Sequence, residues 1–182
     1  GGQPLADRPV IRGQASGNNI FVDGLRNSGG QQREVFNLEQ VEVVKGPDAV
    51  YSGRGSGGGS INLATKQPRL NDFTNVSAGV GTDGYLRGTV DANWRVNDNA
   101  ALRLNIMGAQ GDVPGRDTVD YDKWGLSAAF ALGLGTDTTY TVGYYHLTSH
   151  QMPDYGLPLF TKTGIRDDDS GVLAVPRDAF YG

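Results

Sequence analysis

From Tyr85 to Val96 the chain alternates polar and apolar residues without a break. Tyr85, Arg87, Thr89, Asp91, Asn93 and Arg95 share one face of an extended strand, and Leu86, Gly88, Val90, Ala92, Trp94 and Val96 share the other. A strand of this kind needs apolar surroundings on one side and water on the other. The pattern recurs with Leu102, Leu104 and Ile106 set against Arg103 and Asn105. Trp124, Leu126, Ala128, Phe130 and Leu132 then alternate with Gly125, Ser127, Ala129, Ala131 and Gly133. Tyr140, Val142 and Tyr144 alternate with Thr141 and Gly143, where the polar face is thin. Segments of about 9 to 13 residues suit tilted strands that cross a bilayer. Their connections alternate in length: Asn97 to Asn99 and Gly133 to Asp137 are short, whereas Gly111 to Val119 and everything after His150 are longer. In such an arrangement Phe73 to Gly81 rises first, Thr82-Asp83-Gly84 makes a tight outer turn, and Trp94 and Trp124 fall near opposite strand ends, where interfacial aromatics belong. A soluble β-sandwich shows the same alternation, so the pattern by itself leaves both architectures open.

Composition narrows the class. With 182 residues there is room for one domain or two small ones. The 28 glycines, 8 tyrosines and 37% hydrophobic residues suit antiparallel strands with many turns better than a large packed core. Cysteine is absent, which removes disulfides and thiolate metal sites. A net charge of -4 with no basic stripe argues against nucleic acid as a partner. No apolar run approaches the roughly 18 residues of a membrane helix, but hydropathy is blind to barrel strands, whose alternation averages out. No secretory signal opens the chain, which starts at Gly1-Gly2-Gln3 as if within a domain. The expectation is a fragment or a mature form, and export is not excluded.

The first 68 residues have a different texture, irregular and punctuated by glycine. Asn19 to Asp23 reads as a short strand closed by an Asp23-Gly24 turn. Leu38 to Lys45 is a second strand, stopped by Gly46-Pro47. Asp48 to Ser52 has room for one helical turn, a glycine-rich run follows from Gly53 to Gly59, and Ser60 to Lys66 is a third strand. The run has no lysine-serine or lysine-threonine pair in the place a phosphate-binding loop requires.

Three stretches carry a specific resemblance. Val10-Ile11-Arg12-Gly13, then NNIFVDGLRNSG (Asn18 to Gly29), then NLEQVEVVKGPDAVYSGRGSGGGSINLATKQP (Asn37 to Pro68) resemble the plug of TonB-dependent siderophore receptors. Leu102-Arg103-Leu104-Asn105 and Asp154-Tyr155-Gly156-Leu157-Pro158 are similar to barrel segments of the catecholate type. A local departure is Tyr51-Ser52, where many relatives carry a leucine-tyrosine pair; the glycine spacing is kept. The resemblance implies an α+β plug fragment over residues 1–70. Residues 71–182 would follow as about five antiparallel strands of a transmembrane β-barrel, twenty-two-stranded in the intact parent. It also implies a bacterial outer-membrane transporter of ferric siderophores. TonB and its inner-membrane energising complex would act through an N-terminal segment missing from this chain. Outer-membrane lipid is the surrounding partner. Too few strands are present to close a barrel, so the fragment is not expected to fold or function alone.

The same resemblance assigns roles to individual residues. Arg54, with Gly53 and Gly55, would pack the plug against the barrel wall and pair with lumen-facing carboxylates such as Asp91. The loop Arg26 to Arg33 would point to the extracellular vestibule. There Arg33, then Gln32 and Arg26, would contact the anionic, aromatic ligand. Each of these side chains could equally be an exposed polar group of a loop. His146 and His150 share a strand face near a rim and lack the further ligands of a metal site. Asp167-Asp168-Asp169 lacks the glycine and glutamate of a calcium loop. No nucleophile elbow or paired catalytic carboxylates are present, so no enzyme and no resident cofactor are expected, the iron arriving inside its chelator. Two rival readings are another cargo on the same fold, cobalamin or a glycan, and a β-rich surface adhesin without transport. The particular siderophore, the extracellular loops that choose it, the TonB box and the oligomeric state are not legible.

Overall fold

Two aspartate-glycine pairs turn the chain back on itself with left-handed backbone at both residues. The φ angles are 49° and 80° at Asp23 and Gly24, and 55° and 65° at Asp83 and Gly84. Both-positive φ gives the mirror-image turn whose twist matches the flanking strands, and glycine in second place adopts it without steric cost. In the computed structural model, which describes residues 9–15, 19–27, 33–46, 58–112 and 120–151, every regular element is a strand. The helical turn expected over residues 48–52 lies outside the described residues. Among the described residues no helix is long and apolar enough to cross a membrane, which says nothing of strands.

The strands form three sheets. A small hairpin joins β1 (Val10–Ile11) to β2 (Gln14–Ala15). A four-stranded mixed sheet contains β3 (Ile20–Val22), β4 (Leu25–Asn27), β5 (Leu38–Lys45) and β6 (Gly59–Thr65) in the order β4-β3-β6-β5. Here β3 runs parallel to β6 and the other pairs are antiparallel. Ile20, Phe21 and Leu63 are its buried apolar residues, and Ile11 of β1 is buried as well. The expected strands are present, with each end of the first and third moved by one residue. The third sheet is an antiparallel meander of β7 (Phe73–Val80), β8 (Leu86–Asn97), β9 (Ala100–Asp112), β10 (Asp120–Leu132) and β11 (Tyr140–Gln151), each paired with the next in sequence.

Register decides what the meander faces. Val76, Val90, Ile106, Leu126 and His146 form one row across all five strands, and Thr74, Ala92, Leu104, Ala128 and Tyr144 form a second. These rows belong to the outward face, where Val76, Ile106, Trp124, Phe130 and Val142 are exposed. On the opposite face Asn93, Arg103 and Asn105 are buried, at 0%, 5% and 3% exposure. A soluble sandwich buries its apolar face; here polar groups are covered and apolar ones are presented outward. That inversion fits lipid outside and a polar interior within, and it removes the sandwich alternative. Trp94 and Trp124 both point outward, in rows that meet β9 at Leu102 and Gly108. Six residues of strand separate those rows, about 20 Å, close to the height of an apolar belt between aromatic girdles.

Candidate functional site

Two stretches of the first half lie on the polar face of the meander. The first is the segment leading into β5. Phe36 is buried against Met107, Ala109 and Leu147, and its ring stacks on Tyr145 at 5.8 Å between centroids. A glycine on β10 makes this possible: a Cβ built on Gly125 would fall 2.7 Å from Phe36 Cε1. Two residues earlier, Glu34 bridges two strands of the wall. Its Oε2 accepts from Arg87 Nη2 at 3.1 Å and its Oε1 lies 3.3 Å from Lys123 Nζ.

The second stretch leaves β6. Lys66 Nζ donates to the Phe36 carbonyl oxygen at 2.8 Å and to Asn105 Oδ1 at 3.2 Å, and pairs with Asp91 Oδ2 at 3.0 Å. Asp91 also receives the Arg103 guanidinium in a two-pronged contact, 2.9 Å on each oxygen. The remaining prong of Arg103 donates to the Gln67 carbonyl oxygen at 2.8 Å, and Arg103 lies over the Phe73 ring. Glu39 pairs with Arg69 and lies 3.5 Å from Arg103. Farther along, Asn93 Nδ2 donates to the carbonyl oxygens of Arg69 and Asn71 at 2.7 and 2.5 Å, and its Oδ1 accepts from the Arg69 amide at 2.9 Å. The Asp72 carboxylate accepts from the Arg95 amide at 2.6 Å. The Asp91, Asn93, Arg103 and Asn105 side chains of the wall therefore meet groups of the covering segment, which is what burial demands, while Ser149 Oγ on β11 is buried with no hydrogen-bond partner among the described residues.

The polar face was legible from its alternation; its partners were not. Asp91 was expected to pair with Arg54; among the described residues its plug partner is Lys66. Arg54, Gly53 and Gly55, the residues expected to make that packing, lie outside the described residues, as do Gln32 and Asp167 to Asp169. Arg33 is half-buried immediately before Glu34, and Arg26 is exposed on β4 with its guanidinium over the Phe21 ring, 5.5 Å from the centroid. The two arginines thus stand on different elements. His146 and His150 share one face, as their spacing requires, and the register makes it the outward one: His146 packs on the Trp124 ring and contacts Thr148, and His150 lies 3.4 Å from Asp122. Among the described residues no cluster of three or more metal-ligating side chains occurs. Glu34, Phe36 and Lys66 were missed because they sit outside the periodic wall strands, and nothing local in sequence marks a side chain that finds its partner 25 or more residues away.

A sheet of mixed strands seated on the covered polar face of an outward-apolar meander is the arrangement of a plug in a barrel. The family profile of the TonB-dependent receptor plug domain matches residues 1–60. A protein of Bordetella pertussis named as a probable TonB-dependent receptor, BfrD, is 50% identical over the whole of this chain, which covers 24% of that protein. The catecholate siderophore receptor Fiu of Escherichia coli K12 is 38% identical, again over the whole chain and 25% of the relative. This chain belongs to the TonB-dependent receptors. The crystal structure of the ferric-catecholate import receptor Fiu, in its open form, superposes with a TM-score of 0.79 at 42% identity, covering 85% of this chain and 24% of that one. The siderophore receptor PiuA of Acinetobacter baumannii gives a TM-score of 0.80 at 40% identity, over 88% and 23%. The chain spans about a quarter of the length of these relatives. The family is one of outer-membrane receptors and not an enzyme class. The four-stranded sheet is plug structure, the meander is barrel wall, and the seam between them is held by Glu34, Phe36 and Lys66.

Proposed function

We propose that the receptor containing this chain imports ferric siderophores of the catecholate type across the outer membrane, with TonB supplying the energy. The observation that carries this reading is the match of the whole chain, plug and wall together, to a catecholate siderophore receptor at 38% identity. The seam supports it physically. A plug held by a few ion pairs and one aromatic contact can shift under a pulling force without unfolding the wall, because each contact is local and separable. The outer membrane holds no nucleotide pool, so the work has to come from the inner-membrane proton gradient through TonB. In this reading residues 1–70 are plug and residues 71–182 are wall. Arg33, Gln32 and Arg26 are the first contacts for the ligand, and Arg54 with Gly53 and Gly55 packs plug against barrel. Iron is cargo inside its chelator, so no resident cofactor is needed.

The test is uptake of radiolabelled iron, supplied as a ferric catecholate, in a strain deleted for its own catecholate receptors. Expression of the intact receptor is expected to restore uptake that depends on TonB. Failure to restore it, with the protein present in the outer membrane, overturns the reading. Restoration by cobalamin or a glycan instead would keep the receptor and change the cargo.

A further inference from the structure

The two ionic contacts of the seam are electrostatically unequal. At the lower one, the wall supplies both Asp91 and Arg103, and the plug supplies Lys66, with Glu39 3.5 Å from Arg103. If Lys66 withdraws, Asp91 keeps the two-pronged guanidinium of Arg103 and the wall remains paired. At the upper contact the wall supplies two cations and the plug supplies the carboxylate. Arg87, Ala109 and Lys123 lie in one register row on β8, β9 and β10. With strands about 4.8 Å apart, the backbones of Arg87 and Lys123 stand about 10 Å from each other across a small alanine floor. Glu34 fills the space above it, one oxygen to each cation. Its side chain is 13% exposed and those of Arg87 and Lys123 are 25% and 18%, so the triad is largely shielded from water. Lys123 also lies over the Tyr121 ring, 5.5 Å from its centroid, on the inward row next toward the rim. If Glu34 withdraws, two like charges of the wall face one cleft beside an aromatic ring. Such a site stabilises an anion that presents oxygens and an aromatic face.

We propose that Arg87 and Lys123 form an anion subsite of the receptor wall, for which the plug carboxylate of Glu34 and an anionic oxygen of a ferric catecholate compete. The inference rests on the transport reading above and adds the residues that couple ligand to plug. A ligand that takes over the two cations removes one of the plug's holds on the wall. By linkage, whatever loosens Glu34 tightens the ligand.

The intact receptor is titrated with ferric tricatecholate, a trianion, and binding is followed by tryptophan quenching in the wild type and in Glu34→Gln, Arg87→Gln and Lys123→Gln. Competition predicts opposite signs: about tenfold tighter binding for Glu34→Gln and about tenfold weaker binding for either cation variant, the size of one charge-assisted hydrogen bond. A purely structural latch would be broken equally by all three, so shifts in one direction overturn the proposal. So does an unchanged affinity in Glu34→Gln. Heat-modifiable mobility shows that each variant is a closed barrel. A second readout is acylation of Lys123, measured by mass spectrometry. It is expected to rise in Glu34→Gln and to be suppressed again by ferric tricatecholate; a Lys123 that the complex fails to protect counts against the site. A wild type that binds no ferric catecholate overturns the transport reading itself and this inference with it. Binding with same-direction shifts overturns this inference alone.

Discussion

Asp91 is where plug and wall share one carboxylate, and the sharing sets what its loss does. Arg103 takes both oxygens, Lys66 adds a second cation, and Arg103 is buried. Without Asp91 two positive charges remain side by side. Asp91→Ala is expected to destabilise the receptor by about 2–4 kcal/mol, somewhat below a fully buried pair because Lys66 retains some water. Lys66→Met removes only the outer cation and is expected to cost about 1 kcal/mol. Urea unfolding of the refolded receptor, followed by tryptophan fluorescence, measures both; equal midpoints for the two variants would show that the cluster is not organised around Asp91. Phe36 offers a steric counterpart. A methyl on Gly125 would meet its ring at 2.7 Å. Gly125→Ala is therefore expected to cost about 1–3 kcal/mol by overpacking. In a Phe36→Ala background that cost should disappear, and a double-mutant cycle that came out additive would place the ring elsewhere. Neither contact was legible beforehand. The alternation put Asp91 and Gly125 on their faces, but the phenylalanine that reaches one sits in irregular chain and the lysine that reaches the other directly follows a short plug strand, with no period to betray their partners.

At the scale of elements, far more could be read in advance. A strand's side chains alternate with period two, so its two faces follow from sequence once any residue is placed. The five wall strands were recognisable on that ground, and the Asp23-Gly24 and Asp83-Gly84 turns by their need for positive φ. Alternation could not say which face met lipid and which met protein. That depended on the plug covering Arg103, Asn105 and Asn93, a tertiary fact. The thin polar face of β11 resolves the same way: Thr141, Gly143 and Tyr145 share rows with Ala131, Ala129 and Ser127, and all point inward. A charge on either face tests the assignment. Ile106 points outward, in a row between those of Trp94 and Trp124. Ile106→Arg is expected to lower stability by about 2–4 kcal/mol and to reduce the amount of receptor in the outer membrane. Ser127→Arg, on the inward face, should leave membrane assembly near the wild-type level. Comparing heat-modifiable receptor in outer-membrane fractions gives the result directly, and a reversed order would invert the sheet.

At the scale of the whole chain, the five-stranded sheet has two edges. Its order places β7 on one side and β11 on the other, and among the described residues neither pairs beyond its single neighbour. Every second residue of an edge strand turns its amide and carbonyl away from its neighbour. For the 12 residues of β11 that is roughly a dozen backbone groups aimed sideways. In water such an edge is a hazard; in hydrocarbon each unpaired group costs several kcal/mol, a total that the apolar outer face of five strands cannot offset. The plug does not remove the problem, since its described contacts fall on side chains of the polar face and add no strand to either edge. Closure has to come from further strands, and the relatives, about four times as long, have room for them. The 182-residue chain expressed alone is therefore expected to aggregate, to give no boiling-dependent shift on a gel and to be digested by added protease. The intact receptor, carried through the same steps, should shift and resist. A short chain that shifted and resisted as well would have closed its edges, by assembling with copies of itself or by pairing β7 with β11. Cross-linking between cysteines introduced at Asn75 and Tyr145 would then tell the two apart.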